Sequence, residues 1–228
     1  MFNFLRPTEQ SRRQLVRASR EGDVKKVRYI VTTLKTAVDW PHGNEIEGSA
    51  LWNAAWNNHL DIVSFLVESG GASVDLVSWR GEPAIIGAAS RGHLAVVKYL
   101  VQKGAEIHKG NCYGDNALMA ASWGGHMSVI KFLAPLSEKE KTNNDGKTAL
   151  ILASEKNQLE IVEFLCVELG ANKDAAGIDG RTSLFVAALR GHLAVVQCLV
   201  EQGADKEKAD NYGDSPLRAA ARQVHSSS

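Results

Sequence analysis

The chain of 228 residues has no excess of charge of either sign. Lysine and arginine together number 26, and so do aspartate and glutamate, which makes the formal net charge zero. Nucleic acids and anionic membrane surfaces attract proteins through a surplus of basic residues, and no dense run of lysine or arginine occurs. We therefore expect neither a nucleic acid nor a membrane as the partner.

Long apolar runs and paired cysteines are also lacking. No segment has the roughly 20 apolar residues that a membrane-spanning helix needs, and the apolar stretch at the start is too short for a secretory signal. The three cysteines, Cys112, Cys166 and Cys198, include no Cys-x-x-Cys pair. An odd, unpaired set favours a reducing compartment over a disulfide framework. These absences predict a cytoplasmic protein, with the nucleus as the alternative.

The chain does contain an internal repeat. Residues 93–106 and 192–205 are identical at nine of fourteen positions, at an offset of 99 residues. The same offset places Tyr113-Gly-Asp115 on Tyr212-Gly-Asp214. An apolar anchor recurs at intervals of 32 to 36 residues, and it numbers the repeats from 1 to 7: Leu15, Leu51, Ile85, Leu118, Leu150, Leu184 and Leu217.

Each repeat predicts two short helices and a hairpin. An alanine stands three residues after every anchor, which places both on one face of a first helix. Glycine or asparagine stands seven residues after six of the anchors, as expected where a helix ends in the left-handed conformation. In repeat 3 a second helix is predicted over 94–103, with Val97, Leu100 and Val101 facing inward. Polar stretches then form the hairpin to the next repeat.

The period of 33 residues and its motifs resemble the ankyrin repeat. The opening motif of the family is approached by Asp210-Asn-Tyr-Gly-Asp-Ser-Pro-Leu217, its Gly-His turn by Gly92-His93, and its closing motif by Gly203-Ala-Asp205. The resemblance implies an all-α solenoid of about six helix-turn-helix units plus a partial seventh, with hairpin fingers and a concave binding face. We expect a single domain over 1–223, a disordered tail over 224–228, and a monomer.

Some repeats depart from the regular pattern. Repeat 5 carries one extra residue in the region Glu168–Gly170, and repeat 2 carries one at Gly70-Gly71. Repeat 7 has a first helix only, so that end of the stack is expected to fray.

No pattern of residues indicates an enzyme. The sequence has no phosphate-binding loop, no His-Glu-x-x-His zinc motif and no Gly-x-Ser-x-Gly nucleophile motif. Four histidines share one repeat position, where stacking would space them about 10 Å apart, too far to share a zinc ion. We expect these histidines to stabilise turns, and they are His59, His93, His126 and His192. We expect no catalytic residue, cofactor or bound metal.

Partner binding is predicted on the concave face, at positions five and six residues before and after each anchor. Tryptophan, tyrosine and arginine are enriched there in repeats 2 to 4, and these residue types dominate binding hot spots. The predicted anchor pocket for a protein or peptide consists of Trp56, Trp79, Arg80, Arg91, Tyr113 and Trp123. Glu155 is added from the polar repeats that follow. The alternative is that Trp56 and Trp123 lie flat against adjacent helices and only brace the stack.

The leading interpretation is a protein-binding scaffold. Repeats 2 to 5 are also similar to the N-terminal repeats of the Fem family of ubiquitin-ligase substrate receptors, through 50–55, 62–67 and 117–121. That similarity implies a second interpretation, a receptor or regulatory subunit of a larger assembly. A third is small-molecule binding in the tryptophan-rich concavity.

Overall fold

The structure, a computed structural model, describes residues 7–39, 48–78 and 80–226. Within these ranges the chain forms thirteen α-helices and no β-strand beyond two isolated antiparallel bridges, Val77 with Pro83 and Ala176 with Thr182. The helices are α1 (Pro7–Glu21), α2 (Val24–Thr32), α3 (Ala50–Trp56), α4 (Leu60–Glu68), α5 (Ala84–Ser90), α6 (Leu94–Gln102), α7 (Ala117–Gly124), α8 (Met127–Leu133), α9 (Ala149–Glu155), α10 (Leu159–Glu163), α11 (Ser183–Leu189), α12 (Leu193–Glu201) and α13 (Pro216–Ser226). Six helix pairs and a thirteenth helix confirm the predicted number of repeats.

The helices belong to two compact bodies, of which the first ends at Cys112 and the second begins at Tyr113. In the N-terminal body the first helices α1, α3 and α5 pack side by side, as do the second helices α2, α4 and α6. In the C-terminal body α7, α9, α11 and α13 form the row of first helices, and α8, α10 and α12 form the second row. Each body is therefore a stretch of all-α repeat structure. The predicted domain limits at 223 and 224 stay a prediction.

The turn between the two helices of a repeat is left-handed, as the sequence predicts. The φ angle is +78° at Gly22, +63° at Asn58 and +59° at Asn157, and the glycines at the other three positions also have positive φ. Asparagine tolerates this conformation better than other residues with a Cβ atom. At the start of the first helices α3 and α9, the side chains of Ser49 and Thr148 accept the backbone hydrogen bonds that cap the helix.

The repeated anchors and alanines form the core. The first six anchors are at most 2% exposed, and the first six of the following alanines are fully buried. Leu217, the anchor of repeat 7, is 76% exposed. In α6, Val97 and Leu100 are buried as predicted, but Val96 is fully buried as well, and Val101 is only half-buried. Positions 96, 97 and 100 form one stripe of the helix surface, and position 101 lies at its edge.

The extra residue of repeat 5 changes the helix itself. The second helix of this repeat begins as α10 and continues as a π-helical segment, Phe164–Glu168. One added residue in a helical turn produces i→i+5 hydrogen bonding, which is how π-helical turns arise. In repeat 4 the chain instead forms a short 3-10 turn, Ala134–Leu136. In the part of the chain that the structure describes, no helix is long and apolar enough to cross a membrane.

Candidate partner-binding site

The predicted binding residues fall into both bodies. Trp56, Arg80 and Arg91 belong to the N-terminal body. The C-terminal body contains Tyr113, Trp123 and Glu155. The remaining predicted residue, Trp79, lies outside the described residues.

In the N-terminal body, Trp56 stacks on a second tryptophan. It is the last residue of α3, and its ring lies 4.9 Å from the ring of Trp52, centroid to centroid, with 24° between the planes. The guanidinium carbon of the exposed Arg91 lies 5.2 Å from the centre of the Trp56 ring. Two indole rings and a cation thus form one rigid patch, which we call the Trp56 patch.

A glycine on the next helix makes room for this patch. A Cβ atom on Gly87 of α5 would lie 3.0 Å from Nε1 of Trp52 and 3.4 Å from Cε3 of Trp56. Both rings therefore pack closely against the backbone of the following repeat. Trp56 is half-buried, so it braces the stack and also leaves part of its ring accessible.

Arg80 and Tyr113 lie in hairpins that are linked to the next repeat by backbone hydrogen bonds. The carbonyl of Arg80 accepts a bond of 2.8 Å from the backbone N–H of Cys112. The carbonyl of Tyr113 accepts one of 2.9 Å from that of Asn144. The Arg80 side chain is exposed, and Tyr113 is 58% exposed. The backbone is fixed at both positions while both side chains face solvent.

In the C-terminal body, Trp123 is the most exposed tryptophan whose burial the structure describes, at 43%. It lies one residue before the end of α7. The ammonium nitrogen of Lys156 lies 3.8 Å from the centre of its ring, a close cation–π contact. This pairing of tryptophan and cation resembles the Trp56 patch in composition.

Glu155 is the centre of a buried ion-pair cluster. The residue is 8% exposed, and its Oε2 lies 3.0 Å from Nζ of Lys147. Its Oε1 accepts a hydrogen bond from the guanidinium of Arg190. Burial acts to raise the pKa of Glu155, but the hydrogen bonds and charges of Lys147 and Arg190 outweigh it and hold the pKa below its ordinary value. Lys147 and Arg190 thus already form ion pairs with this carboxylate. The assignment of Glu155 as a partner-binding residue stays a prediction.

Three of the repeat-position histidines connect neighbouring repeats. Nε2 of His59 lies 3.1 Å from the carbonyl oxygen of Arg20, and Nε2 of His93 lies 3.0 Å from that of Trp56. Nε2 of His192 lies 3.2 Å from the carbonyl oxygen of Glu155. Each ring reaches the end of the first helix of the preceding repeat, where carbonyl groups lack a helical partner. Sequence reasoning predicted turn stabilisation but missed this contact between repeats.

The comparison with protein families agrees with this architecture. A family model described as ankyrin repeats matches the chain three times, over residues 15–111, 85–176 and 167–227. The chain belongs to the ankyrin-repeat family. Ankyrin-repeat proteins are typically non-catalytic modules for protein–protein interaction, and the predicted resemblance to this family is confirmed.

Two solved ankyrin-repeat structures are similar over most of the chain. The ankyrin repeat domain of Bcl-3, a member of the IkappaB protein family, is 26% identical, with a TM-score of 0.75 and coverage of 92% of this chain and 95% of that one. The ankyrin repeat domain of human ASB11 is 24% identical, with a TM-score of 0.77 and 90% of each chain covered. The second likeness shows the fold alone.

The curated relatives that this chain matches are much longer than it. The protein fem-1 homolog A-like from Mus musculus is 35% identical over 188 residues, which are 78% of this chain and 28% of that protein. The probable E3 ubiquitin-protein ligase XBOS32 from Oryza sativa subsp. japonica is 34% identical over 97 residues, 42% of this chain and 19% of that protein. The chain spans between 5% and 28% of the length of the curated relatives it matches.

Proposed function

We propose that this ankyrin-repeat protein is a non-catalytic scaffold that binds a protein or peptide through its hairpins and first helices, mainly in repeats 2 to 4. The observation that carries the proposal is the Trp56 patch. Stacked indole rings offer a large apolar area that loses little side-chain entropy on binding, and Arg91 adds a polar contact at its edge. Trp123 with Lys156 offers the same combination in repeat 4.

The test uses variants that separate binding from stability. Arg91→Ala removes an exposed cation from the Trp56 patch, and Trp123→Ala removes a 43% exposed ring. Lys25→Ala removes an exposed cation from the second helix α2 and serves as the matched control for Arg91→Ala. Affinity purification with quantitative mass spectrometry identifies the proteins that the unaltered chain retains, and titration with the best of them gives the affinity.

We expect Arg91→Ala and Trp123→Ala each to weaken that affinity by about tenfold or more, as hot-spot residues do, with an unchanged melting temperature. Lys25→Ala should bind like the unaltered chain. Equal binding by all four proteins would contradict the proposed face. A large loss of stability with binding intact would show that Trp123 only braces the stack.

The similarity to a fem-1 homolog and to a probable E3 ubiquitin-protein ligase supports a second candidate function, that of a ubiquitin-ligase substrate receptor. Under this proposal the same face binds the substrate, and the ligase contact lies elsewhere. Immunoprecipitation from cells of the source species should then recover ligase subunits with both the unaltered protein and Trp123→Ala. Their absence from both would exclude this role.

A further inference from the structure

A second surface of the C-terminal body lies on its second helices, and its lining includes none of the residues proposed above. Helices α8, α10 and α12 and the π-helical segment enclose a groove of about 500 Å³. Apolar side chains lie along it, and glutamates surround them. We call it the glutamate groove, and its lining consists of Met127, Lys131, Glu160, Glu163, Phe164, Val167, Glu168, Cys198, Glu201 and Gln202.

The π-helical segment leaves a hydrophobic residue exposed in the groove. Val167 stands three residues before Gly170, the place that Val101 has before Gly104 and Val200 has before Gly203. Val167 is 58% exposed and lines the groove, whereas Val101 and Val200 are half-buried. The valine of repeat 5 is therefore more accessible than its counterparts in repeats 3 and 6. π-Helical turns are frequent at functional sites.

The charge around this apolar floor is strongly negative. Four exposed glutamates line the groove, and Lys131 is its only cationic lining residue. None of the four glutamates forms a salt bridge with another described residue. The ammonium of Lys131 lies 5.9 Å from the centre of the Phe164 ring, so it contacts the floor of the groove. Because the whole chain has no net charge, the groove is a local concentration of negative potential.

We propose that the glutamate groove binds a basic amphipathic segment of a partner protein. One large apolar side chain of the segment contacts Phe164 and Val167, and lysine or arginine residues on either side of it pair with the glutamates. The volume lies within the range of sites that enclose a small ligand or a few side chains. The free glutamates supply the charge complementarity that selects a basic partner over an acidic one.

The experiment uses the full chain and a defined probe. The probe is a fluorescently labelled short helical peptide of lysine and leucine, measured by fluorescence anisotropy. A lysine and serine peptide of equal length and charge tests the apolar contact, and a glutamate and leucine peptide tests the charge. The groove variants are Val167→Gln, which replaces the exposed valine by a polar residue, and the pair Glu163→Gln with Glu201→Gln. The control pair, Glu138→Gln with Glu207→Gln, makes the same charge change at exposed positions outside the groove.

We expect the lysine and leucine peptide to bind and the other two peptides to bind at least about tenfold more weakly, since each lacks one of the two contact types. The glutamate pair should weaken binding by roughly tenfold, or about threefold per surface charge. Val167→Gln should weaken it by a similar factor, since burying a valine side chain contributes about that much. Higher salt should reduce the remaining affinity.

Three outcomes would overturn the proposal. The first is no binding of the lysine and leucine peptide. The second is equal binding of the lysine and serine peptide, which would indicate a non-specific charge effect. The third is an equal loss of affinity in the groove variants and in the control pair. Arg91→Ala and Trp123→Ala should leave the affinity for the peptide unchanged, so failure here is distinguishable from failure of the proposed function.

Discussion

Glu155→Gln removes the charge at the centre of the ion-pair cluster in the C-terminal body and keeps the shape of the side chain. Lys147 and Arg190 then lose their anionic partner, although the amide oxygen can still accept one hydrogen bond. A hydrogen bond to a charged group contributes about 1.5–3 kcal/mol. The side chain of Lys147 is 23% exposed and that of Arg190 is 49% exposed, so solvent screening places each contribution at or below the low end of that range.

We therefore expect Glu155→Gln to lower the free energy of unfolding by about 2 kcal/mol at neutral pH. For a chain of this size, that corresponds to a fall in melting temperature of roughly 4–8 °C, followed by circular dichroism. The double-mutant cycle of Glu155→Gln with Arg190→Gln should give a coupling energy of about 0.5–1 kcal/mol. The cycle with Lys147→Met should give a larger value because Lys147 is better buried.

The pH dependence follows from the lowered pKa of Glu155. Burial alone would raise it, but Lys147 and Arg190 bring it below the value of about 4.3 for an unfolded chain. A group whose pKa is lower in the folded state stabilises the fold above the unfolded pKa, and this contribution is lost as the pH falls through the folded pKa. The difference between the unaltered chain and Glu155→Gln should therefore shrink below about pH 4. A difference that stays constant into acid, or equal stability at neutral pH, would refute an ionic role for Glu155.

Two further predictions test the turns and the thiols. Gly22 and Gly191 occupy the same turn with positive φ, but a Cβ atom on Gly22 would lie 2.6 Å from the ring of His59, and nothing lies within 4 Å at Gly191. In urea unfolding, Gly191→Ala should lower the free energy of unfolding by about 1 kcal/mol, the penalty for the left-handed conformation alone. Gly22→Ala should lower it clearly more, because the added atom also meets His59. Equal losses would contradict a role for the His59 contact. Burial raises the pKa of Cys166 to about 11, so little of it is the reactive thiolate in mildly alkaline solution. Iodoacetamide should therefore alkylate the exposed Cys112 first, which mass spectrometry of the native chain would show. Prompt alkylation of Cys166 would contradict its burial.

The sequence predicts the repeat structure well, because the same local requirement recurs in every repeat. Leu51 and Ala54 are buried as their spacing requires, and the choice of asparagine at Asn58 already indicates the left-handed turn that the structure contains. The extra residue of repeat 5 is also visible in the sequence. Its effect is not, because whether a chain absorbs one residue in a loop or in a helix depends on how the neighbouring helices pack. A π-helical segment at Phe164–Glu168 could not be derived from spacing alone.

The site is harder to predict than the fold, because it depends on contacts between repeats. Glu155 has the position of a surface residue in the pattern, but Lys147 and Arg190 from different parts of the chain meet its carboxylate. Lys156 lies over Trp123 for the same reason, since 33 residues separate them in the sequence. One signal could have indicated this: pairs at about one repeat length are neighbours in a stack. Applied to charged and aromatic residues, that rule would have found the contacts of Arg190 with Glu155 and of Lys156 with Trp123, but not that of Lys147, which lies eight residues from Glu155.

The histidine contacts described above have a direction. The end of the first helix in one repeat gains its hydrogen bond from a ring that lies 37 to 39 residues later in the chain. During synthesis on the ribosome, repeats 1, 2 and 5 therefore emerge with that carbonyl group still open to water, and only the arrival of the following repeat closes it. Order should consequently spread from the N-terminal end toward the growing end, with the newest repeat always the least protected against amide exchange.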